Sequence, residues 1–304
     1  MKHPSGFLNI YKLSGPTSFD CIRVLKKIYL DEKISAPKLG HLGTLDPLAE
    51  GVLPIAIGNA RRLIRFFSAD KLYNATFLLG TSTDTDDIRG ETISTSDASH
   101  VTELMVKEAL AEFRGEIDQV PPMYSATKVK GEKAYKLARM GEKFQLNARK
   151  VNVLEIEFIS WNPPSLTLRF RVGPGTYIRS IARDLGEKLG IGGCVSQITR
   201  ESDGPFTVAN SLKLTELEGS GVAGIRERLM PPEIILDSMP RVDLGRVEDS
   251  EAFKSGKSVR SIELPAEAKG GYFNVCDTKG FVGVGIKSAD GGIKPFRIIR
   301  VENN

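Results

Sequence analysis

The stretch KLGHLGTLDPLAEGVLPIAIGNA, residues 38–60, restricts the fold more than any other part of the chain. Gly40, Gly43, Gly51, Gly58, Pro47 and Pro54 crowd around one carboxylate, Asp46. Glycine admits backbone conformations barred to other residues, or lets another group approach closely. Pro47 biases Asp46 away from the helical region and suits the first position of a short helix. Asp46 would then be its N-cap, and Gly51 would end the turn. A functional reading stands beside this one, because a reacting carboxylate also needs stiff surroundings: an error of about 1 Å can cost ~100-fold in rate.

A chain of 304 residues can form one large domain, or a large one and a small one. No apolar run approaches the ~20 residues that cross a bilayer, and the opening MKHPSGFLNIYKLSG lacks the pattern of a secretory signal. Cys21, Cys194 and Cys276 are odd in number and far apart, which fits a reducing cytoplasm rather than a disulfide framework. His3, His41 and His100 have no metal-ligand spacing, so no metal is expected. Between Lys128 and Arg200, 14 basic residues face 6 acidic ones, leaving the rest of the chain net acidic. Such a block suits a polyanion such as nucleic acid, or a solvated charged face.

Helical spacing covers residues 18–30, with Thr17 or Ser18 as cap, and residues 102–115 and 178–190. Residues 71–80 read as a strand. Residues 151–161 and 165–172 alternate as the arms of an antiparallel hairpin joined by Asn-Pro-Pro. The absence of a regular βαβ repeat predicts an α+β catalytic domain, with a largely antiparallel mixed sheet flanked by helices. The prolines of PPEIILDSMP, 231–240, suggest a boundary between residues 1–236 and a small β-rich domain, residues 241–304. Its expected strands are YFNVCD, FVGVGIKS and FRIIRV. No P-loop, dinucleotide fingerprint, nucleophile elbow or His-Glu-x-x-His motif is present.

Taken together, GHLGTLDPLAEGVLPIAIG, KLYNATFLLGTSTDTDDIRG (71–90), VPPMYSATKVKGEKAYKLARMG (120–141) and GTYIRSIARDLGEKLG (175–190) resemble, in order, the motifs of the bacterial tRNA pseudouridine synthase B family. The resemblance spans roughly residues 7–206 and implies an isomerase that acts on the T-loop uridine, position 55, of tRNA. It implies base flipping and exchange of the C1′–N1 bond for C1′–C5, without cofactor or metal. Asp46 matches the catalytic aspartate, Arg179 the arginine that pairs with it, and Tyr73 the active-site tyrosine. A bidentate Arg179–Asp46 pair would keep that acid ionised. Tyr177 matches a pocket wall, Ile198 stands where the family's leucine is usual and still supplies an apolar wall, and His41 matches the residue that fills the gap left by the flipped base. Lys128, Arg149, Lys150 and Arg200 would serve phosphates. Asp87 would contact RNA, while the other acids of TDTDD read as a polar turn.

Leu42, Glu50 and Thr199 depart from the family pattern, where threonine, a small hydroxyl residue and arginine are usual. The C-terminal segment resembles a PUA-like RNA-binding domain that would reach the acceptor stem. A monomer is expected. The alternative from another functional class is a tRNA-binding or tRNA-folding chaperone with little or no catalysis. It differs in having no need of a constrained carboxylate beside a polyanion.

Overall fold

The computed structural model describes residues 4–265 and 269–299. The chain opens with β1 (Gly6–Lys12), α1 (Ser18–Asp31), β2 (Leu39–His41), β3 (Glu50–Ile57) and β4 (Lys71–Leu79). A ribbon of β5 (Thr81–Thr83) and β6 (Thr92–Thr95) leads to α2 (Glu103–Leu110) and β7 (Gly115–Gln119). Residues 120–148 then leave the main sheet. They carry the short hairpin β8 (Lys128–Val129) and β9 (Glu132–Lys133), then α3 (Ala134–Arg139). The larger unit is completed by β10 (Arg149–Asn162), β11 (Ser165–Val172), α4 (Ile178–Lys188), β12 (Gly193–Asp203), β13 (Phe206–Thr207), β14 (Leu212–Lys213) and α5 (Leu214–Glu227).

Among the described residues these strands make a ten-stranded sheet in the order β14-β1-β3-β12-β4-β11-β10-β7, with β2 beside β3 and β13 beside β12. Only β1–β14 and β3–β12 pair in parallel, so the sheet is mixed and largely antiparallel, as the sequence suggested. The period-2 pattern explains the strands: Tyr73, Ala75, Phe77 and Leu79 of β4 are buried on one face, as are Leu166, Leu168, Phe170 and Val172 of β11. The helix α1 buries Cys21, Ile22, Leu25, Ile28 and Tyr29, and Thr17 caps it in a reciprocal box with Asp20. Each fully buried aliphatic or aromatic side chain of this core contributes about 1.5–3 kcal/mol.

Two expectations change. The helix expected over residues 102–115 stops at Leu110, followed by a tight turn at Ala111–Phe113. Gly115, at φ +85°, instead starts β7. The segment 231–240 is no open linker, since Ile235 and Leu236 are buried in a second apolar cluster with Phe7, Val52, Phe206, Phe281 and Val284. A separate C-terminal β unit follows: β15 (Arg241–Leu244), α6 (Val247–Lys254), β16 (Tyr272–Asp277), β17 (Gly280–Lys287) and β18 (Ile293–Ile298). The end of the expected strand FRIIRV, residues 300–301, lies outside the described residues. Phe66 of the larger unit meets the rings of Tyr272 and Phe296 edge-to-face, at centroid separations of 5.1 and 5.9 Å, and joins the two units.

Candidate active site

Asp46 lies in the connection between β2 and β3, and its chain neighbours are fixed on both sides. Leu45 exchanges two hydrogen bonds with Ser18, the first residue of α1: Ser18 Oγ donates to the Leu45 carbonyl (2.9 Å) and accepts from its N–H (2.8 Å). The Pro47 carbonyl accepts from Gly15 N–H at 2.8 Å. Pro47 starts no helix. Residues 47–48 form a bend closed by Ala49 N–H on the Asp46 carbonyl (3.1 Å), so the expected N-cap role for Asp46 is corrected. Its carboxylate is thereby left for a side-chain partner. Gly51 ends no turn either. It sits in β3 at φ +102°, where a Cβ would lie 2.2 Å from the Arg200 carbonyl oxygen, so close strand approach is what excludes a side chain there.

Arg179, in the first turn of α4, donates from Nε to Asp46 Oδ2 at 2.8 Å. The pair is not bidentate, contrary to expectation. Nη1 donates to the Thr85 carbonyl (2.7 Å) and Nη2 to the Tyr124 carbonyl (3.0 Å), so one guanidinium ties three loops together. The arginine side chain is 5% exposed and the aspartate 38%, so the ion pair opens to solvent on the aspartate side. Asp46 Oδ1 has no hydrogen-bond partner among the described residues.

Tyr73 of β4 is buried and lies within electrostatic reach of Asp46. Burial pushes its phenol above the usual value; Arg200, which hydrogen-bonds it, opposes the shift, while Asp203 and Asp46 add to it. It therefore stays a neutral phenol through the neutral pH range. His41, half-buried at the end of β2, is held below the usual imidazole value by burial and by Arg200 and Lys133, so it is biased toward the neutral form. The influence of Lys133 also places the β8–β9 hairpin near this end of the site. Tyr177 stands at the N-cap of α4, its backbone clasped by the side-chain amide of Gln119 (2.8 and 3.1 Å). Ile198 of β12 is half-buried and packs on the main core, opposite Ala75.

The expected phosphate contacts divide. Lys128 is exposed on β8. Lys150 is exposed but paired with Glu116, which raises its pKa. Arg149 stacks its guanidinium 4.8 Å over the Tyr177 ring and donates to the Gly175 carbonyl. Arg200 does not fit a phosphate contact at all. It is 1% exposed, donates to the carbonyls of Val52 (2.8 Å) and Gly43 (3.2 Å), and lies 3.6 Å from the buried carboxylate of Asp203. It is a cation that holds up the Asp46 loop from beneath. Asp87 is also buried, and its Oδ1 accepts from Arg89 N–H (2.9 Å) and Thr85 Oγ1 (3.1 Å), the geometry of a turn rather than an RNA contact.

Sequence reasoning missed Lys12. It is fully buried at the end of β1, donates to the carbonyls of Leu13 (3.0 Å) and Pro16 (2.8 Å), and has its pKa pushed down to about 8 by burial, against the attraction of Cys21, Asp46 and Glu50. The signal was present: Lys12 follows Leu8 and Ile10 at alternate positions, a charge on a buried stripe. The departures Glu50 and Thr199 are register partners, and Thr199 Oγ1 donates to Glu50 Oε1 at 3.2 Å. Leu42 packs on the second apolar cluster. Among the described residues no group of three or more His, Cys, Asp or Glu side chains is arranged to hold a metal ion.

The site is thus a constrained aspartate–arginine pair with a buried tyrosine nearby, on a mixed sheet. A family model described as TruB family pseudouridylate synthase (N terminal domain) matches residues 28–178. The tRNA pseudouridine synthase B of Dehalococcoides mccartyi is 43% identical over 268 residues, 88% of this chain and 86% of that protein. The protein of the same name from Clostridium tetani is 36% identical over 299 residues, 98% of this chain and 99% of its own length. A chain in the crystal structure of a Cbf5–Nop10–Gar1 complex shares the fold, with a TM-score of 0.72 at 26% identity, covering 96% of this chain and 84% of that one. The chain belongs to the TruB family of pseudouridylate synthases.

Proposed function

We propose that this protein converts the T-loop uridine of tRNA, position 55, to pseudouridine. The observation that carries the reading is the Asp46–Arg179 ion pair, fixed on both sides of the aspartate and within electrostatic reach of Tyr73. The names of the relatives, found at 36–43% identity over most of the chain, support tRNA as the substrate class. In the reaction the N1–C1′ bond breaks, the uracil turns, C5 bonds to C1′, and the C5 proton is lost as N1 gains one. No electron or group enters or leaves. Arg179 engages Oδ2 of Asp46 and leaves Oδ1 to act, either on C1′ or on a sugar proton. Tyr73, a neutral phenol, supplies a face on which the uracil stacks, worth ~1–3 kcal/mol.

A uridine stacked in a loop is out of reach, so the base is extruded, at a cost of a few kcal/mol. His41 fills the vacated space. Tyr177 and Ile198 wall the pocket, and Lys128 meets the phosphate backbone. The domain boundary falls between residues 236 and 241, and the C-terminal unit, PUA-like in this reading, reaches the acceptor stem. The protein works in the cytoplasm as a monomer.

The test uses an unmodified T-stem-loop transcript with pseudouridine mapped at single-nucleotide resolution. Wild type is expected to modify the one uridine. Asp46→Asn should bind the RNA with similar affinity and lose product formation by on the order of 10³-fold or more. Product from Asp46→Asn at near wild-type rate refutes the role of Asp46, and binding by wild type without product favours the chaperone reading.

A further inference from the structure

The motif TDTDD contains a residue that the reaction scheme does not use, Asp86, and α4 carries a second arginine one turn beyond Arg179. We infer that the Arg183–Asp86 pair is a positioning device for catalysis, which keeps the guanidinium of Arg179 aimed at Asp46. This inference rests on the proposed function and extends it to groups that do not touch substrate.

Arg183 lies four residues after Arg179, on the same side of α4. Its Nη1 donates to Asp86 Oδ2 at 2.9 Å, its Nε to Asp184 Oδ1 at 2.8 Å, and its Nη2 to the Val120 carbonyl at 2.9 Å. Ser180 Oγ donates to the same carbonyl at 2.8 Å. The two loops that Arg183 holds are those that Arg179 holds. Arg179 grips the Thr85 carbonyl, one residue before Asp86, and the Tyr124 carbonyl, four residues after Val120. Apart from the Arg183–Asp86 ion pair, the two arginines hold these loops by backbone carbonyls, and a loop shift of about 1 Å would break such bonds. Asp86 itself has φ +57°, a conformation uncommon for a side-chain-bearing residue, and it is only 9% exposed. Its backbone carbonyl accepts from Val195 N–H at 3.0 Å, which pins the loop to β12.

Burial pushes Asp86 up to about 6, although Arg183 and Arg179 pull it down; Asp184 pushes it further up. The thiol of Cys194 on β12, itself pushed up to about 11 mainly by burial, also feels Asp87 and Asp86. The sign follows from linkage. A folded-state value above the unfolded 3.8 means that the native protein favours the protonated acid. Stability from this group is full below the unfolded value and is lost as pH rises to about 6. Above that, Asp86 is ionised and is held by Arg183, whose own pKa is raised by Asp86 and Asp184 against its burial.

Turnover, RNA affinity and thermal stability of full-length Arg183→Met, Arg183→Lys and Asp86→Asn test this on the same transcript. We expect Arg183→Met to lower single-turnover rate by about 10–100-fold, with affinity within about threefold. Arg183→Lys keeps the charge without the fork, and should recover part of the rate. Asp86→Asn should melt at the same or a higher temperature than wild type at pH 8, turn over more slowly, and lack the fall in rate below about pH 6 that is expected of wild type. Wild-type rates in both Arg183→Met and Asp86→Asn would overturn the inference. So would losses that merely follow the fraction of folded protein. Wild type that makes no pseudouridine defeats the proposed function itself, and this inference with it.

Discussion

The Asp46 loop, residues 38–51, and the basic excursion, residues 120–150, border the same site and are built on opposite terms. In the loop, Leu45 is buried and its backbone is bonded to Ser18, the carbonyl of Gly43 rests on a buried guanidinium, and Gly51 touches a neighbouring strand. The excursion has eight basic and two acidic residues, of which Lys128, Lys130, Lys133, Lys136, Arg139, Lys143 and Lys150 are exposed. Apart from Arg149 and Lys150, which open β10, its regular elements are a two-residue-arm hairpin and one six-residue helix. The difference separates placement from attraction. Chemistry at one atom needs a position fixed by packed, satisfied neighbours, whereas attraction of a polyanion needs charge at the surface and tolerates motion.

The largest expected effect strikes the loop from below. Arg200→Met removes the cation that the buried Asp203 faces at 3.6 Å and leaves Lys71, at 3.0 Å, as its remaining charged neighbour. Breaking a buried pair costs about 3–5 kcal/mol. Urea unfolding should show a loss of this size, with no decrease in the salt dependence of RNA binding. A flattened salt dependence would return Arg200 to the phosphate-binding set and erase the contrast.

Gly51→Ala is expected to cost about 2–3 kcal/mol, because a left-handed conformation and a 2.2 Å approach to the Arg200 carbonyl both oppose a methyl group. Thermal melts of Gly51→Ala beside Gly131→Ala sharpen the comparison. Gly131 also has positive φ, but a Cβ there meets nothing within 4 Å, so its cost should be confined to about 1 kcal/mol of backbone strain. Equal losses would mean that the loop is no more tightly packed than the excursion.

The same contrast sets what the sequence could disclose. Local patterns were legible where local physics decides: the Thr17 cap, the strand β4, the alternation of β10 and β11, and the turn between them. The Asp46–Arg179 pairing was reachable through resemblance, because 133 residues separate the partners and no spacing rule joins them. Arg200 was misread because it lies in a basic stretch, and charge counting cannot tell a solvated arginine from one turned inward against Asp203. The pairing of Glu50 with Thr199 was illegible for a related reason: each departure is odd alone, and only the parallel register of β3 and β12 makes them neighbours.

The smallest expected change in stability belongs to the excursion. Lys128→Ala should leave the melting transition unchanged within about 0.5 kcal/mol, since Lys128 is exposed on a two-residue strand. Its effect should appear in RNA binding, where the slope of log affinity against log salt falls by about one for each phosphate that no longer meets a cation. Lys150→Ala should lower the slope by less, because Glu116 already neutralises part of its charge. The ordering of the two slopes is the decisive measurement. If Lys150 matters more than Lys128, bound RNA displaces Glu116 from its lysine, and the excursion contributes its charge only after rearrangement. If Lys128 matters more, its charge is already presented to RNA in the free protein.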